Sequence, residues 1–511
     1  MSTSVIGTRT ILQEGSYSLD PQIKNNYFEN SSVELDEDVF IEKLSYPLKG
    51  RTFDFDVPDY EDALEASDNH GGLTGLVSVR RNIELEEGDA TNLFYGIAVD
   101  IGTSKIACHL VEMSTGVSLC IESEENPQVA HGEDVMSRIT YAMRGENNTS
   151  RLSAMLHGSI NRLVAQACQM ANIEPEEIYE GVIVGNTLMH HLFLGLNPSP
   201  LANAPFKPVM EEPVSVTASE YDIDISNAGV LYLPPPLAGF VGSDAISDLL
   251  ASGAYESREK CILIDIGTNT EVFVGDYSGF DACSCASGPA FEGAHITNGV
   301  KAVPGAIEHL SIDPKNFQII YETIGVLEPI GLCGSAIIDV IAEMWESKLL
   351  DDVGRFQSQN GPPNLWTDKG FLLVPFEDTA TSSDITIHQS DVEEVLKAKA
   401  AIHAAISIML NRHEIAEEEI SRVFIAGDFG SNIDPCNAIG IGMLPRVEPD
   451  IVEFRGNTAL QGAKMQLLSR EARRTAIDLK EKIKYHELSL DPQFDREYIN
   501  SLFIPYRDLG S

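Results

Sequence analysis

The sequence predicts an α/β protein built from two duplicated lobes, and two observations carry this prediction. First, a segment that starts at Tyr95 (YGIAVDIGTSKIACHL) resembles one that starts at Cys261 (CILIDIGTNTEVFVGD). Each copy is an apolar, β-branched run followed by Asp-Ile-Gly-Thr and an alternating run, which is the pattern of strand, tight turn and strand. Second, Asp100 and Asp265 are about 165 residues apart. This spacing indicates duplicated domains rather than a short-repeat solenoid.

The duplication also predicts the domain organisation. A chain of 511 residues is long enough for two or three domains. We place the first lobe at residues 93–258 and the second lobe at residues 259–465, so that each contains one copy of the motif. Residues 1–92 are predicted to form a small acidic α/β domain, and residues 466–511 a C-terminal helix and tail.

The charge of the chain excludes several classes of function. Its 35 basic and 78 acidic residues give a net charge of −43. Such a chain repels nucleic-acid backbones and anionic lipid headgroups, so we expect neither as a partner. No apolar run approaches the roughly 20 residues of a membrane span, and the N-terminus lacks the pattern of a signal peptide. We therefore expect a cytoplasmic protein without membrane insertion.

The two Asp-Ile-Gly-Thr turns have the composition of phosphate-binding loops. A buried strand delivers an aspartate to its carboxyl end, and the following glycine lets successive backbone N–H groups face an anion. Carboxylates such as Asp100 and Asp265 suit a hydrated Mg²⁺ ion. One such turn also occurs in ordinary hairpins, but two copies at domain spacing favour facing lobes. The predicted phosphate-binding residues are Gly102, Thr103, Ser104, Gly267, Thr268 and Asn269.

Two further segments complete the predicted site. Residues 180–186 (EGVIVGN) indicate a strand that ends at Asn186, before a helix over residues 187–194. In this segment, either Asn186 orients a water molecule or Thr187 simply caps the helix. Residues 421–435 (SRVFIAGDFGSNIDP), preceded by a helix predicted over residues 391–412, indicate a strand and a glycine-rich turn suited to a planar base or sugar. The residues expected to line an adenosine pocket are Gly427, Phe429 and Gly430.

The order of these elements resembles the acetate kinase, sugar kinase, chaperone and actin superfamily of ATPases. The resemblance implies two ribonuclease H-like (actin-like) lobes that bind ATP and Mg²⁺ between them. It implies that Asp265 orients or helps to deprotonate water, that Asp100 and Asp265 contact Mg²⁺ through water, and that Asn186 lies near the metal. It further implies that Gly288 and Glu292 reach the nucleotide from the opposite lobe.

Longer stretches narrow the resemblance to one family. They include NPQVAHGEDVMSRITYA, VGNTLMHHLFLGLNPSPLANAPFKP, PPLAGFVGSDA and SGPAFEGAHITNGVKAVPGAI. Over residues 95–505 the chain is similar to the reductive activators of corrinoid enzymes, which are ATPases. This implies a corrinoid or other metallocofactor protein as partner, a separate electron donor, and a homodimer. A stand-alone chain of this kind also resembles a methanogenesis marker protein of anaerobic, methane-forming archaea.

The cysteines depart from the pattern of that family. Many members carry an N-terminal ferredoxin-like domain or C-terminal iron–sulfur clusters. Here no cysteine precedes Cys108 and no CxxC pair occurs, so we expect no iron–sulfur cluster. Residues 1–92 are instead similar to the middle domain of the family.

Three functions are compatible with these features. The first is an ATP-binding, ATP-hydrolysing activator that assists the reductive reactivation of a corrinoid protein. The second is a nucleotide-gated scaffold or assembly factor in methanogenesis, and the third is a small-molecule kinase built from the same lobes. Slow hydrolysis that no small acceptor stimulates would separate the first two from the kinase.

Overall fold

A computed structural model describes residues 94–427 and 432–508, together with the backbone of three N-terminal strands. These strands, β1 (Ile23–Glu29), β2 (Gly72–Ser78) and β3 (Ile83–Glu87), form an antiparallel sheet in the order β1-β2-β3. The predicted adenosine-pocket residues Phe429 and Gly430 lie outside the described residues. Among the described helices, each is too short or too polar to span a bilayer.

Two six-stranded sheets form the two lobes, and five strands of each follow the same order, which confirms the predicted duplicated α/β fold. The sixth strand is added at opposite edges of the two sheets. The first has the order β6-β5-β4-β7-β9-β8 and the second the order β19-β18-β10-β11-β12-β20. In both, three antiparallel strands are followed by a fourth strand that pairs in parallel with the first. The first sheet consists of β4 (Tyr95–Ile101), β5 (Lys105–Glu112), β6 (Val117–Glu125), β7 (Ile178–Gly185), β8 (Val214–Thr217) and β9 (Val230–Leu233). The second consists of β10 (Cys261–Ile266), β11 (Thr270–Asp276), β12 (Gly279–Cys285), β18 (Arg422–Ala426), β19 (Val452–Gly456) and β20 (Ile483–Tyr485).

Helices cover the sheets, and two small sheets are inserted in the second lobe. The small sheets are β14-β13-β15, from β13 (Ala306–Ile312), β14 (Ile319–Thr323) and β15 (Gly331–Leu332), and β16-β17, from β16 (Phe371–Val374) and β17 (Ile385–Ile387). The helices are α1 (Val135–Met143), α2 (Asn148–Ala171), α3 (Thr187–Phe193), α4 (Ser243–Ser252), α5 (Gly334–Glu346), α6 (Gln389–Arg412), α7 (Pro435–Gly440), α8 (Thr458–Leu468), α9 (Arg470–Lys482) and α10 (Phe494–Ser501).

Two helices exchange lobes and cross each other between them. Helix α4 follows the last strands of the first sheet, yet its Ile246 and Leu249 pack on the second sheet. Helix α8 follows β19 of the second sheet, yet its Leu460 and Leu467 pack on the first. At the crossing the helices approach so closely that a Cβ at Gly462 would lie 2.3 Å from the Ser247 carbonyl oxygen. The crossing therefore joins the lobes through a contact that only glycine permits.

A buried ion pair adds a second connection between the lobes. Arg473 of α9 lies 2.6 Å from Glu180 of β7, and both side chains are buried. The Arg473 guanidinium also donates to the Gln466 carbonyl and lies over the Tyr232 ring, 4.5 Å from its centroid. Because each charge has a partner in a dry environment, loss of either partner would leave the other uncompensated.

The long helix α6 begins at Gln389, two residues before the predicted start at residue 391. The Asp391 carboxylate explains the earlier start, because it accepts a hydrogen bond of 2.8 Å from the backbone N–H of His388. It also accepts from the backbone N–H of Thr297. Asp391 therefore acts from within the first turn instead of standing at its beginning, and it fastens the segment around Thr297 to the helix.

Helix α6 also carries a fully buried lysine. The ammonium group of Lys399 donates to the Phe503 carbonyl, which fastens the segment after α10 to α6. Burial lowers the pKa of Lys399 to about 7, from an ordinary value near 10.5. The unfolded chain therefore binds more protons at this residue between pH 7 and pH 10.5, so the contribution of Lys399 to stability rises with pH in this range.

We expect Lys399→Met to remove this pH dependence. The free energy of unfolding of the native chain, minus that of the variant, should increase by about 2 kcal/mol between pH 7 and pH 9. Chemical denaturation at the two pH values measures this difference. Lys397→Met is the matched control, since Lys397 is exposed on the same helix and pairs with Glu394. An equal pH dependence in both variants would contradict the prediction.

Candidate active site

Two buried polar side chains, those of Asn126 and Arg138, form hydrogen bonds with the backbone of the first predicted phosphate loop. Residues 102–104 connect β4 and β5. The Asn126 amide donates 2.8 Å to the Gly102 carbonyl, and its backbone N–H donates to the Ser104 carbonyl. The guanidinium of Arg138 donates 2.5 Å to the Thr103 carbonyl. Because all three carbonyls accept hydrogen bonds, the backbone of the first loop is fixed in one conformation.

The second loop is held in a similar way by the segment that follows β12. The Ser287 hydroxyl donates 3.0 Å to the Gly267 carbonyl, and the backbone N–H of Gly288 donates 3.0 Å to the Thr268 carbonyl. Gly288 has a φ of +77°, a left-handed conformation that glycine adopts without steric cost. Asn269 completes the turn, because its carbonyl accepts from the N–H of Gly267.

The two loops meet across the space between the lobes. The hydroxyl of Thr268 donates 2.6 Å to the Glu292 carboxylate, and lies 3.0 Å from the hydroxyl of Ser104. Since Thr268 has one hydroxyl proton and gives it to Glu292, Ser104 is the donor in the contact between the lobes. The amide of Asn186 donates 3.0 Å to the hydroxyl of Thr103. The structure thus brings Thr103, Ser104, Asn186, Thr268 and Glu292 together.

Asn186 has two roles in the geometry of the site. Its side-chain oxygen accepts a hydrogen bond of 3.1 Å from Met189 N–H and caps helix α3, while its amide nitrogen reaches Thr103. Thr187, the alternative cap, instead donates to the Ala238 carbonyl, 2.5 Å away. The helix cap therefore orients the Asn186 side chain toward the first loop.

Carboxylates converge where the two loops meet. Burial, together with the charges of Asp100 and Asp265, raises the pKa of Asp244 to about 8. Burial and the same Asp265 also raise the pKa of Glu271 and of Asp248 well above their ordinary values. These shifts arise because several negative charges face one another in a poorly hydrated space. A cation in this space would relieve their repulsion.

The third predicted element reaches the same place. Strand β18 runs parallel to β10, so that Ala426 lies beside Asp265. Gly427 follows with a φ of +94°, and a Cβ there would lie 2.7 Å from the Ile266 carbonyl oxygen and 3.0 Å from a carboxylate oxygen of Asp265. A side chain at Gly427 would therefore be strained by the positive φ and would collide with the atoms around Asp265.

Three of the residues around Asp100 and Asp265 were not predicted from the sequence. The amide of Asn457, at the beginning of α8, donates 3.2 Å to the Asp100 carboxylate. Asp244 lies in the first turn of α4, and Glu271 lies in β11 directly opposite Asp265. A signal for Asp244 exists in the sequence Gly-Ser-Asp before a helical run, whereas nothing local marks Asn457.

The chain resembles known proteins over nearly all of residues 95–510. A profile described as "RACo middle region" matches residues 95–257, and one described as "C-terminal domain of RACo the ASKHA domain" matches residues 259–510. A relative named "Corrinoid activation enzyme RamQ", from Eubacterium limosum, is 34% identical over 88% of this chain and 78% of its own length. The chain belongs to the RACo family. The family predicted from the sequence motifs is thereby confirmed.

Other members of the RACo family agree with this assignment. The "[Co(II) methylated amine-specific corrinoid protein] reductase" of Methanosarcina barkeri is 25% identical over 78% of this chain and 74% of its own. The solved structure titled "Reductive activator for corrinoid,iron-sulfur protein" superposes with a TM-score of 0.88 at 32% identity, covering 96% of this chain and 80% of the other. The actin-like fold of the RACo family therefore applies to both lobes.

The arrangement of carboxylates fits a hydrated ion better than a directly chelated one. Within residues 94–427 and 432–508, no three His, Cys, Asp or Glu side chains converge closely enough to hold a metal by themselves. Mg²⁺ usually keeps several waters and binds proteins through one or two carboxylates together with substrate phosphates. The facing carboxylates of Asp100, Asp244 and Asp265 suit such an ion, because a divalent cation would offset the repulsion that raises the pKa of Asp244.

We expect Arg138→Met to weaken nucleotide binding without removing any group that faces the ligand. Arg138 is fully buried, and besides Thr103 it donates to the Gly132 carbonyl. Its loss frees the Thr103 carbonyl and loosens the first loop. Kd for ATP should therefore rise about tenfold, which weakens the free energy of binding by about 1.4 kcal/mol. Isothermal titration calorimetry measures the change. Arg151→Met, at an exposed position of α2, is the control; an unchanged Kd in Arg138→Met would refute the supporting role of Arg138.

Proposed function

We propose that this protein binds and hydrolyses ATP, and that hydrolysis assists the reductive reactivation of a corrinoid protein. The observation that carries this proposal is the meeting of the two phosphate loops, with the Ser104 and Thr268 hydroxyls 3.0 Å apart between the lobes. A phosphate chain bound there would contact both lobes at once. Nucleotide binding would therefore couple directly to the relative position of the lobes.

The residues around the loops suit phosphoryl transfer, which needs positioning and charge neutralisation more than covalent chemistry. Asp265 orients the attacking water and accepts its proton, and Asn186 helps to hold this water. The N–H groups and hydroxyls of both loops contact the β- and γ-phosphates. Asp100 and Asp265 would hold Mg²⁺ through water, and the ion would neutralise charge on the phosphates. Gly288 and Glu292 approach the nucleotide from the second lobe, and Gly427 borders the adenosine.

ATP acts on the partner through a change of conformation. The lobes form the two-state element, because ATP binds more tightly to the closed state than to the open state. The partner is a corrinoid protein, as the names of the relatives suggest, and a separate reductase or ferredoxin supplies the electron. A low-potential reduction becomes favourable when closure stabilises the reduced partner relative to the oxidised one.

An anoxic reduction assay tests the proposal. The purified protein is mixed with a methylated amine-specific corrinoid protein in the Co(II) state and a chemical reductant, with ATP–Mg²⁺, ADP–Mg²⁺ or no nucleotide. Cobalt reduction is followed by visible absorbance, and phosphate release is followed in parallel. We expect reduction and phosphate release only with ATP–Mg²⁺.

The alternatives give different results in the same assay. A nucleotide-gated scaffold would bind the corrinoid protein in a nucleotide-dependent manner without phosphate release. A kinase would transfer phosphate to a small acceptor, and the corrinoid protein would have no effect on the rate. Equal reduction with and without nucleotide would refute the coupling of ATP to activation.

A further inference from the structure

The loops at one end of the small sheet β14-β13-β15, together with the turn after β16, carry exposed apolar side chains. Val326 is 94% exposed, Leu327 54%, Phe376 52% and Val303 40%. Isolated exposed apolar residues are common, but several together mark a surface that meets another molecule. We name this cluster, Val303, Val326, Leu327 and Phe376, the apolar tip.

Backbone contacts bring the three loops of the apolar tip together. The backbone N–H of Gly305, next to Val303, donates 2.8 Å to the Ile324 carbonyl of the turn that carries Val326. The N–H of Ala380 donates 3.0 Å to the Pro329 carbonyl, and the Thr379 hydroxyl donates 3.2 Å to the Phe376 carbonyl. These contacts join the loop of Val303 to the turn that carries Val326 and Leu327, and they place the segment that follows Phe376 beside Pro329.

Val326 adopts an unfavourable backbone conformation that the packing of its own side chain does not offset. Its φ is +55°, a left-handed conformation that β-branched residues rarely adopt. Its side chain is almost fully exposed, so packing against the rest of the molecule does not offset the strain. Strain of this kind is found where function requires a particular residue at a turn. Glycine would adopt this backbone conformation more easily, but it would not provide the apolar side chain that Val326 provides.

Carboxylates border the apolar tip. Glu328, Glu377 and Asp378 are exposed on the same loops, and Glu322 is exposed near the end of β14. The charge of Asp378 extends to β14, where it contributes, after burial, to raising the pKa of Tyr321. An apolar centre with an acidic border complements an apolar pocket edged with lysine or arginine.

The segment that leads to the apolar tip also lines the space between the lobes. It begins at Glu292, which accepts the Thr268 hydroxyl, and continues through His295, 3.2 Å from Glu133 of the first lobe. Lys301, two residues before Val303, lies 3.5 Å from Glu125 of the first lobe. A change in the distance between the lobes would therefore displace the loop that carries Val303.

We propose that the apolar tip is the surface on which the partner docks, and that the partner presents an apolar pocket bordered by basic residues. The proposal rests on the proposed function, since it assigns the docking surface of the corrinoid protein. It also gives a route for coupling, because the docked partner would sit on loops that are anchored at the phosphate site.

Binding measurements with a defined partner test the proposal. A methylated amine-specific corrinoid protein is titrated into the full chain with ATP–Mg²⁺ present, and Kd is measured by calorimetry. Val326→Gly, Leu327→Ser and Phe376→Ser are each expected to raise Kd about tenfold or more. Val326→Gly is the sharpest variant, because it relieves the left-handed strain and should raise Tm while weakening binding. If Val326 had only a structural role, Val326→Gly would raise Tm without raising Kd.

Matched controls are available at apolar positions outside the apolar tip. Leu490→Ser and Met170→Ser remove side chains that are 66% and 54% exposed, and Kd should not change. A photo-crosslinking residue at position 326 should capture the corrinoid protein, and the same residue at position 490 should not. Wild-type binding with unchanged Kd in all three tip variants would overturn the docking surface alone. Absence of wild-type binding with any nucleotide would overturn the corrinoid partner, and the docking surface assigned to it.

Discussion

Asp265→Asn is expected to lower kcat for ATP hydrolysis by about 10²–10⁴-fold, the range typical for loss of a catalytic acid or base. The Asp265 carboxylate lies at the carboxyl end of β10 and beside the backbone of Gly427. An amide of the same shape would occupy the same space but could not accept a proton from water. Because the phosphate loops are unchanged and Asp100 still holds Mg²⁺, Kd for ATP should change far less than kcat.

Single-turnover phosphate release and a fluorescent nucleotide titration measure these two quantities. The control is Asp368→Asn, at an exposed position far along the chain from both loops, for which kcat and Kd should match the native values. Retained hydrolysis in Asp265→Asn would move the role of base to another carboxylate, with Asp100 and Asp244 as the next candidates.

Gly462→Ala is expected to lower the free energy of unfolding by about 3 kcal/mol or more, a large effect for one methyl group. The new Cβ would lie 2.3 Å from the Ser247 carbonyl oxygen and 2.7 Å from Ser247 Cα. Both atoms belong to the backbone of α4, so α4 and α8 would have to move apart. This would also stretch the hydrogen bonds from Thr458 to Asp248 and from Gln466 to Ser247.

Gly158→Ala is the matched control for this substitution. Gly158 also lies inside a helix, α2, but a Cβ there would meet only the end of the flexible Arg162 side chain at 3.6 Å. Here alanine should stabilise the chain by about 0.5–1 kcal/mol, because it favours the helix more than glycine does. Thermal and chemical denaturation measure both variants. A neutral Gly462→Ala would mean that the helix crossing is looser than the structure indicates.

Local sequence patterns sufficed to predict the duplicated lobes and the strand–turn–strand loops. The two turns depend on residues that are adjacent in the chain, such as Gly102 between β4 and β5. The same holds for Asn186, whose place after a buried strand is visible in the sequence. The roles predicted for these residues stay predictions, as does the small domain over residues 1–92.

The remainder of the site depends on tertiary packing. Asn457 reaches Asp100 only because α8 returns from the second lobe to the first, which no local pattern indicates. Asp244 approaches Asp100 and Asp265 because Gly242 allows α4 to pack against the chain at Gly185 and Asn186. Arg138 supports Thr103 through a contact between residues 35 positions apart. Asn457 and Asp244 take their positions from the packing of α8 and α4, and Arg138 from the packing of α1 beside the first loop.

The return of α8 to the first sheet has a consequence for how the chain matures on the ribosome. One face of that sheet, which includes Ala98, Val182 and Val184, is covered by Leu460 and Leu467. Those two leucines are synthesised only after most of the chain has left the exit tunnel. The apolar face of the first sheet therefore stays uncovered until α8 has been synthesised. In a chain that stops before α8, this face is never covered by Leu460 and Leu467. We expect chains that stop before α8 to present this face to chaperones and proteases, even though both phosphate loops are already complete.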